Sequence, residues 1–263
     1  MPEGHTLHRL ARLHQRRFGR APVLVSSPQG RFADAAQVNG RVLRRADAWG
    51  KHLFHHYAGG AVVHVHLGLY GTFTEQPVPM AAPVGAVRMR MIGADVGTDL
   101  RGPTRCELID EGQVADVVAR LGPDPLRADA DASLAWARIA KSRRAIGSLL
   151  MDQSVIAGVG NVYRSELLFR RGIDPHRLGE RLDESEFAAL WDDLVALMKV
   201  GVRRGRIVVV RPEHDHGPGS YAPDRPRTYV YRRAGEACRV CGTTVRTEVM
   251  EGRNLFWCPV CQR

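Results

Sequence analysis

Apolar positions follow a helical period at the start of the chain. Leu7, Leu10, Ala11, His14 and Phe18 fall on one stripe of residues 5–18, and basic residues occupy the rest, which predicts an amphipathic helix. From about residue 22 to 106 the period shortens to two. Val62-Val63-His64-Val65-His66-Leu67 is β-branched and nearly alternating until Gly68 and Gly71 break it, and residues 87–92 alternate again. This stretch predicts a sheet-rich domain, a β-sandwich. The texture changes near residues 116–132, where Leu121-Gly122-Pro123-Asp124-Pro125-Leu126 and then Asp129-Ala130-Asp131 suggest a linker and a helix start. Helical patterns follow over 146–153, 162–170 and 185–200, the last capped by Asp183 or Ser185. Residues 211–227 are rich in Pro, Gly, His and charge and predict a long loop. The fold class expected is α+β. The boundaries are a sandwich domain at 1–116, a linker at 117–132, a helical domain at 133–228 and a short terminal hairpin at 229–263.

Composition narrows the class. The chain has 263 residues, 44% hydrophobic and 25% charged, enough for two cored domains and a small module. Lys and Arg total 38 against 28 Asp and Glu, a formal charge of +10, and Lys occurs only at Lys51, Lys141 and Lys199. An Arg-rich excess suits a polyanion, because guanidinium groups grip phosphate bidentately, although charge alone leaves a nucleic-acid partner at even odds. No apolar run is long enough to span a bilayer, so no membrane is expected. Met1-Pro2-Glu3-Gly4-His5 lacks a basic flank followed by an apolar stretch, and a cytoplasmic protein is expected.

Four of the five cysteines crowd the end of the chain. Cys238-x2-Cys241 and Cys258-x2-Cys261 are separated by 16 residues, a spacing that wraps four thiolates around one tetrahedral Zn²⁺. A closed four-thiolate site has no open position for catalysis, so the expected metal is structural and folds a hairpin too short for a core of its own. Within that hairpin Arg253 enters the second knuckle, either as a rigid phosphate fork or as a solvated arginine. Phe256 and Trp257 suit hairpin packing. Cys106 stands alone and suits a buried apolar position.

Three further motifs carry candidate chemistry. Residues 151–166 join two apolar-periodic helices through Gly158-Val159-Gly160-Asn161, where Asn161 would cap the following helix and the exposed amides would attract phosphate; spacing alone favours a capped helix hairpin without a ligand. Although Pro2 taken alone is better read as a common residue beside an initiator Met, it invites removal of that Met, leaving a secondary amine that can form an iminium with a sugar carbon. Glu3 beside it is a candidate general acid/base. Lys51 follows a Gly turn and either reaches a phosphate or is simply solvated. His64 and His66 share a strand face without an evident third metal ligand. His214 and His216 sit in the long loop and suit a solvated or DNA-facing role.

Taken together, Met1-Pro2-Glu3-Gly4, Gly50-Lys51, the stretch 150–166 with Gly160-Asn161, and Arg253 to the CPxCQ ending at Gln262 resemble the family of formamidopyrimidine-DNA glycosylase and endonuclease VIII. The matches span almost the whole chain in the family's order, and the set is very specific. The resemblance implies an N-terminal β-sandwich flanked by helices, a helical domain with a helix-two-turn-helix motif, a zinc-finger hairpin, and damaged duplex DNA in a cleft between the halves of a monomer associated with the bacterial nucleoid. It further implies Pro2 as the nucleophile at C1′, Glu3 as the acid that assists sugar opening, and Lys51, Asn161 and Arg253 as phosphate holders. Cys238, Cys241, Cys258 and Cys261 match its zinc ligands. His66-Leu67-Gly68-Leu69-Tyr70-Gly71 is similar to the endonuclease VIII branch, which has Gln-Leu-Tyr where this chain has Gly68-Leu69-Tyr70. Leu69 and Tyr70 are therefore the expected wedge into the duplex, with weaker contact to the orphan base at Gly68. A second departure is Thr6, where many members carry Glu.

The implied function is base excision repair: glycosylase action on oxidised bases, mainly pyrimidines, through a Pro2 Schiff base, then β,δ-elimination. The alternatives are an 8-oxoguanine and formamidopyrimidine preference, or a non-catalytic zinc protein that binds damaged DNA.

Overall fold

The computed structural model describes residues 2–216 and 227–263. The part of the predicted 211–227 loop at residues 217–226 lies outside the described residues. The chain forms two compact units, Met1–Arg120 and Leu121–Arg263.

The first unit opens with α1, Gly4–Phe18, and includes a single-turn α2, Ala35–Val38. Leu7, Ala11, His14 and Phe18 are buried, Leu10 is half-buried, and Arg9, Arg12, Arg16 and Arg17 face outward. The helix packs on a sandwich of two antiparallel four-stranded sheets. One runs β2 (Leu43–Trp49), β3 (His52–Tyr57), β4 (Val62–His66), β8 (Arg105–Ile109). The other runs β1 (Leu24–Ser26), β6 (Val87–Ile92), β7 (Val96–Arg101), β5 (Thr72–Pro77). Leu53, Val63 and Val65 from one sheet and Met89, Met91 and Leu100 from the other meet Leu7 and Phe18 in a shared core. Val62 and Phe54 face the opposite way and pack with Ile109 under α3, Glu111–Ala119. Covering both faces explains why β4 reads as nearly continuous apolar sequence. α3 starts at an Asp110–Gln113 capping box and occupies positions where sequence suggested the linker's beginning.

The second unit is helical: α4 (Ala132–Ile139), α5 (Ile146–Leu149), α6 (Asn161–Arg171) and α7 (Glu184–Arg204) surround one core with the final hairpin. Asp131 caps α4, and Asp183, not Ser185, caps α7 in a capping box with Glu186. The helix expected over 146–153 ends after one turn. The backbone then tightens into turns, with Met151 N–H to Ser148 O and Asp152 N–H to Leu149 O, and side chains serve the groups beyond: Asp152 accepts from the Ser154 amide, while Gln153 accepts from Gly158 N–H and donates to Met151 O and Val159 O. Gly158, at φ 92°, supports the bend that follows. β9 (Arg246–Met250) and β10 (Arg253–Trp257) form the closing hairpin. Its two-residue turn, Glu251-Gly252, has φ of 53° and 64°, the paired positive values that match strand twist.

Candidate active site

Pro2 is half-buried at the start of the first unit, and Glu3 is fully buried at the N-cap of α1. The Glu3 carbonyl accepts from Thr6 N–H at 2.8 Å and holds the first turn. The positive end of the helix dipole thus lies at these two residues. His5 is buried beside them, and burial first of all lowers its pKa to about 4, so its ring is neutral at physiological pH. The Thr6 hydroxyl lies 3.4 Å from His5 Nε2. Where the resemblance expects a carboxylate at position 6, this chain carries a neutral hydroxyl–imidazole contact.

Lys51 sits in the two-residue turn between β2 and β3. Trp49 pairs with His52, and Gly50 takes φ 57° in the first turn position, which demands glycine. The Lys51 charge is among the influences that lower the His66 pKa, after burial, which places the ammonium close to the end of β4. His66 begins the segment carrying Leu69 and Tyr70. Those two residues are 37% and 85% exposed and lie at the tip of a turn. The histidines of β4 are used by neighbours: His64 reaches His52 and Glu107, and His66 reaches the Thr104 hydroxyl at 2.8 Å.

In the second unit Asn161 and Arg253 come from distant positions to one place. Asn161 is not the cap of α6; Gly160 is, and the Asn161 side chain is committed elsewhere. Its Nδ2 donates to Asn254 O at 2.9 Å, and its Oδ1 accepts from the Arg164 guanidinium. Asn254 follows Arg253, so the side chain expected to hold phosphate also ties α6 to the hairpin. Arg164 is fully buried and donates as well to Met250 O at 3.4 Å, across the hairpin turn from Arg253. Sequence reading missed Arg164. The available signal was its place three residues after Asn161, on the same helix face. Glu166, also missed and also buried, accepts from the amides of Tyr229, Val230 and Tyr231 at 2.7–2.9 Å and fixes the stem after the long loop. At the other stem the Tyr229 hydroxyl accepts from Arg211 N–H and contacts His214. Phe256 packs edge-on to Tyr231 and Trp257 edge-on to His176, so both serve the hairpin's packing.

The four cysteine Sγ atoms lie within 4.8 Å of one another. Cys238 to Cys261 is 3.8 Å and Cys241 to Cys258 is 3.4 Å. A tetrahedron with Zn–S bonds of about 2.3 Å has edges of about 3.8 Å, so the donor set fits zinc in size and in chemistry. Amides already point at the sulfurs: Val240 N–H donates to Cys238 Sγ at 3.5 Å. Gln262 clasps the second knuckle, accepting from Cys258 N–H and donating to Ile173 O at the end of α6.

Comparison with known proteins agrees with this geometry. The N-terminal domain of formamidopyrimidine-DNA glycosylase matches residues 1–105, its H2TH domain matches 121–211, and the zinc finger found in FPG and IleRS matches 235–263. Endonuclease 8 1 of Mycobacterium tuberculosis is 75% identical over the full length of both chains. The DNA-(apurinic or apyrimidinic site) lyase Nei2 of Mycolicibacterium smegmatis is 32% identical, covering 100% of this chain and 99% of the relative. A Lactococcus lactis Fpg, solved with DNA containing N7-benzyl-Fapy-dG, superposes with a TM-score of 0.80 at 24% identity over all of both chains, a likeness of fold. The chain belongs to the formamidopyrimidine-DNA glycosylase and endonuclease VIII family of DNA glycosylases.

Proposed function

We propose that this chain is a bifunctional glycosylase and AP lyase of base excision repair, acting as a monomer on oxidised bases in duplex DNA, mainly pyrimidines. The observation that carries the reading is the start of α1, where half-buried Pro2 adjoins fully buried Glu3 at the positive helix end, in a stretch matched by the family model from residue 1. The relatives named endonuclease 8 and AP lyase support the reaction class. No helix among the described residues is long and apolar enough to cross a membrane, in keeping with a cytoplasmic, nucleoid-associated enzyme.

The chemistry follows from the groups. With Met1 removed, Pro2 offers a secondary amine whose pKa, about 7.7–8.0 for an ordinary α-amine, leaves a neutral fraction at physiological pH. The target C1′ is inaccessible in a stacked duplex, so the nucleotide is everted at a cost of a few kcal/mol, least at a damaged pair. Lys51, Asn161 and Arg253 hold the flanking phosphates, and Leu69 and Tyr70 fill the void. The Pro2 nitrogen forms a bond to C1′ as the bond to the base breaks. Glu3 gives a proton to the sugar ring oxygen, the ring opens, and an iminium remains. That electron sink acidifies the C2′ proton; its loss expels the 3′ phosphate, and a second elimination expels the 5′ phosphate. Water then releases the sugar remnant and restores the amine. One Zn²⁺ held by Cys238, Cys241, Cys258 and Cys261 supplies structural order to the hairpin that carries Arg253.

Labelled duplexes carrying oxidised pyrimidines, 8-oxoguanine or an abasic site test the reading. The expected result is cleavage to a one-nucleotide gap with phosphate at both ends, fastest for the oxidised pyrimidines. Binding without any strand cutting, even at abasic sites, would leave the non-catalytic alternative.

A further inference from the structure

The turn that presents Leu69 and Tyr70 is built to a tolerance that the wedge role alone does not require. Gly71 N–H donates to Leu67 O at 2.9 Å and closes a tight turn. A Cβ on Gly71 would lie 2.3 Å from that same oxygen. Gly68 takes φ 65°, and a Cβ there would lie 2.3 Å from the Thr104 methyl carbon. Thr104 belongs to the turn between β7 and β8, and it holds the other wall. Its N–H and its hydroxyl both donate to His66 O at 3.0 Å, and the hydroxyl oxygen also lies 2.8 Å from His66 Nδ1. Rotating Thr104 to move its methyl away from position 68 would break both hydroxyl contacts. Gly102 in the same turn, at φ 60°, approaches from the other side: a Cβ there would meet Tyr70 O at 3.4 Å.

We infer that Thr104 is a positioning residue for the duplex wedge: it fixes the 67–71 turn through His66, and its methyl adds a steric bar at position 68, where the left-handed backbone already favours glycine. This rests on the reading of Leu69 and Tyr70 as the wedge. The glycine at position 68, which from sequence is a departure from the Gln-Leu-Tyr pattern, thus answers both to its own left-handed φ and to a second residue 36 positions later in the chain. Thr104 is itself exposed, so replacing it leaves the sandwich core intact.

The test compares Thr104→Ala, Thr104→Ser and Thr104→Val on duplex lesion DNA and on a single-stranded abasic oligonucleotide, which offers no void to fill. Thr104→Ala and Thr104→Val should lose roughly ten- to a hundredfold in kcat/KM on the duplex, the scale of an ångström-sized misplacement, with single-strand cutting unchanged. Thr104→Ser keeps the hydroxyl and should keep duplex activity. Gly68→Gln should cost less in the Thr104→Ala background than in the natural protein. Equal losses on duplex and single strand, or an identical cost of Gly68→Gln in both backgrounds, would overturn the assignment. Leu69→Ala with Tyr70→Ala separates the two readings. If that pair leaves duplex cutting intact, the wedge itself is wrong. If the pair impairs it and Thr104→Ala does not, Thr104 alone is wrong.

Discussion

Asn161, proposed to hold a phosphate, has a structural duty that was hidden from sequence. Asn161 reads as a helix cap, yet Gly160 caps the helix and the amide reaches Asn254 and Arg164. A cap is inferred from local spacing, whereas a bond spanning 93 positions is set by tertiary packing. The four cysteines were legible because two knuckles of fixed spacing are a local signal, and the structure gathers them; the roles of Pro2 and Glu3 came from the resemblance and stand as proposals. Arg253 illustrates the intermediate case. Its neighbours pin it at the tip of a rigid hairpin, where a guanidinium can meet phosphate without losing much freedom. Arg253→Ala should therefore weaken binding to lesion and undamaged DNA alike and reduce the slope of log affinity against log salt by about one. Titrations at several salt concentrations check this; an unaltered slope would remove the phosphate contact.

At the scale of elements, periodicity located α1, β4 and α7 well because each buries one regular face. It overran α5, after which the Asp152 and Gln153 side chains accept from the Ser154 and Gly158 amides and hold the chain in a turn. The contact of α1 with β3 adds an unusual pair. His14 Nδ1 and His55 Nε2 lie 2.9 Å apart with both rings buried. Burial lowers the His14 pKa to about 3 and is the leading cause that holds His55 well below its ordinary value. Above pH 6.5 both rings are neutral in folded and unfolded chains and add no pH dependence. As pH falls below 6.5 the unfolded chain gains protons that the folded one refuses. Each ring then costs up to about 1.4 kcal/mol of stability per pH unit until its folded pKa is reached. His56 acts in the opposite sense: burial lowers its pKa, but hydrogen bonds to Asp47 and Glu111 outweigh it and raise the net value. The stability curve should fall steeply from pH 6.5 toward pH 4, and a variant joining His14→Phe with His55→Leu should flatten it. Melting temperatures across that window measure the effect; equal slopes in both proteins would show that the pair stays hydrated or protonated.

For the whole molecule, the two-part plan was visible in the change from period two to helical patterns, and the compact units divide after Arg120. What sequence left hidden is how the zinc hairpin is fastened within the second unit. Gln262 bonds to Ile173, His176 reaches Glu248 at 2.6 Å, and Arg144 reaches Glu251 at 3.3 Å, all partners remote in sequence. Metal removal should consequently loosen Arg253 and Asn161 together. Chelation is expected to abolish specific DNA binding while the first unit keeps its β-sheet signal in circular dichroism; full binding by verified zinc-free protein would contradict a structural role. The central claim, that the reaction proceeds through the imino terminus, has a direct measurement. Borohydride reduction during turnover of lesion DNA, followed by peptide mass mapping, should place the sugar adduct on a peptide that begins at Pro2. An adduct on Lys51, Lys141 or Lys199, or full activity in protein that retains Met1, would contradict it.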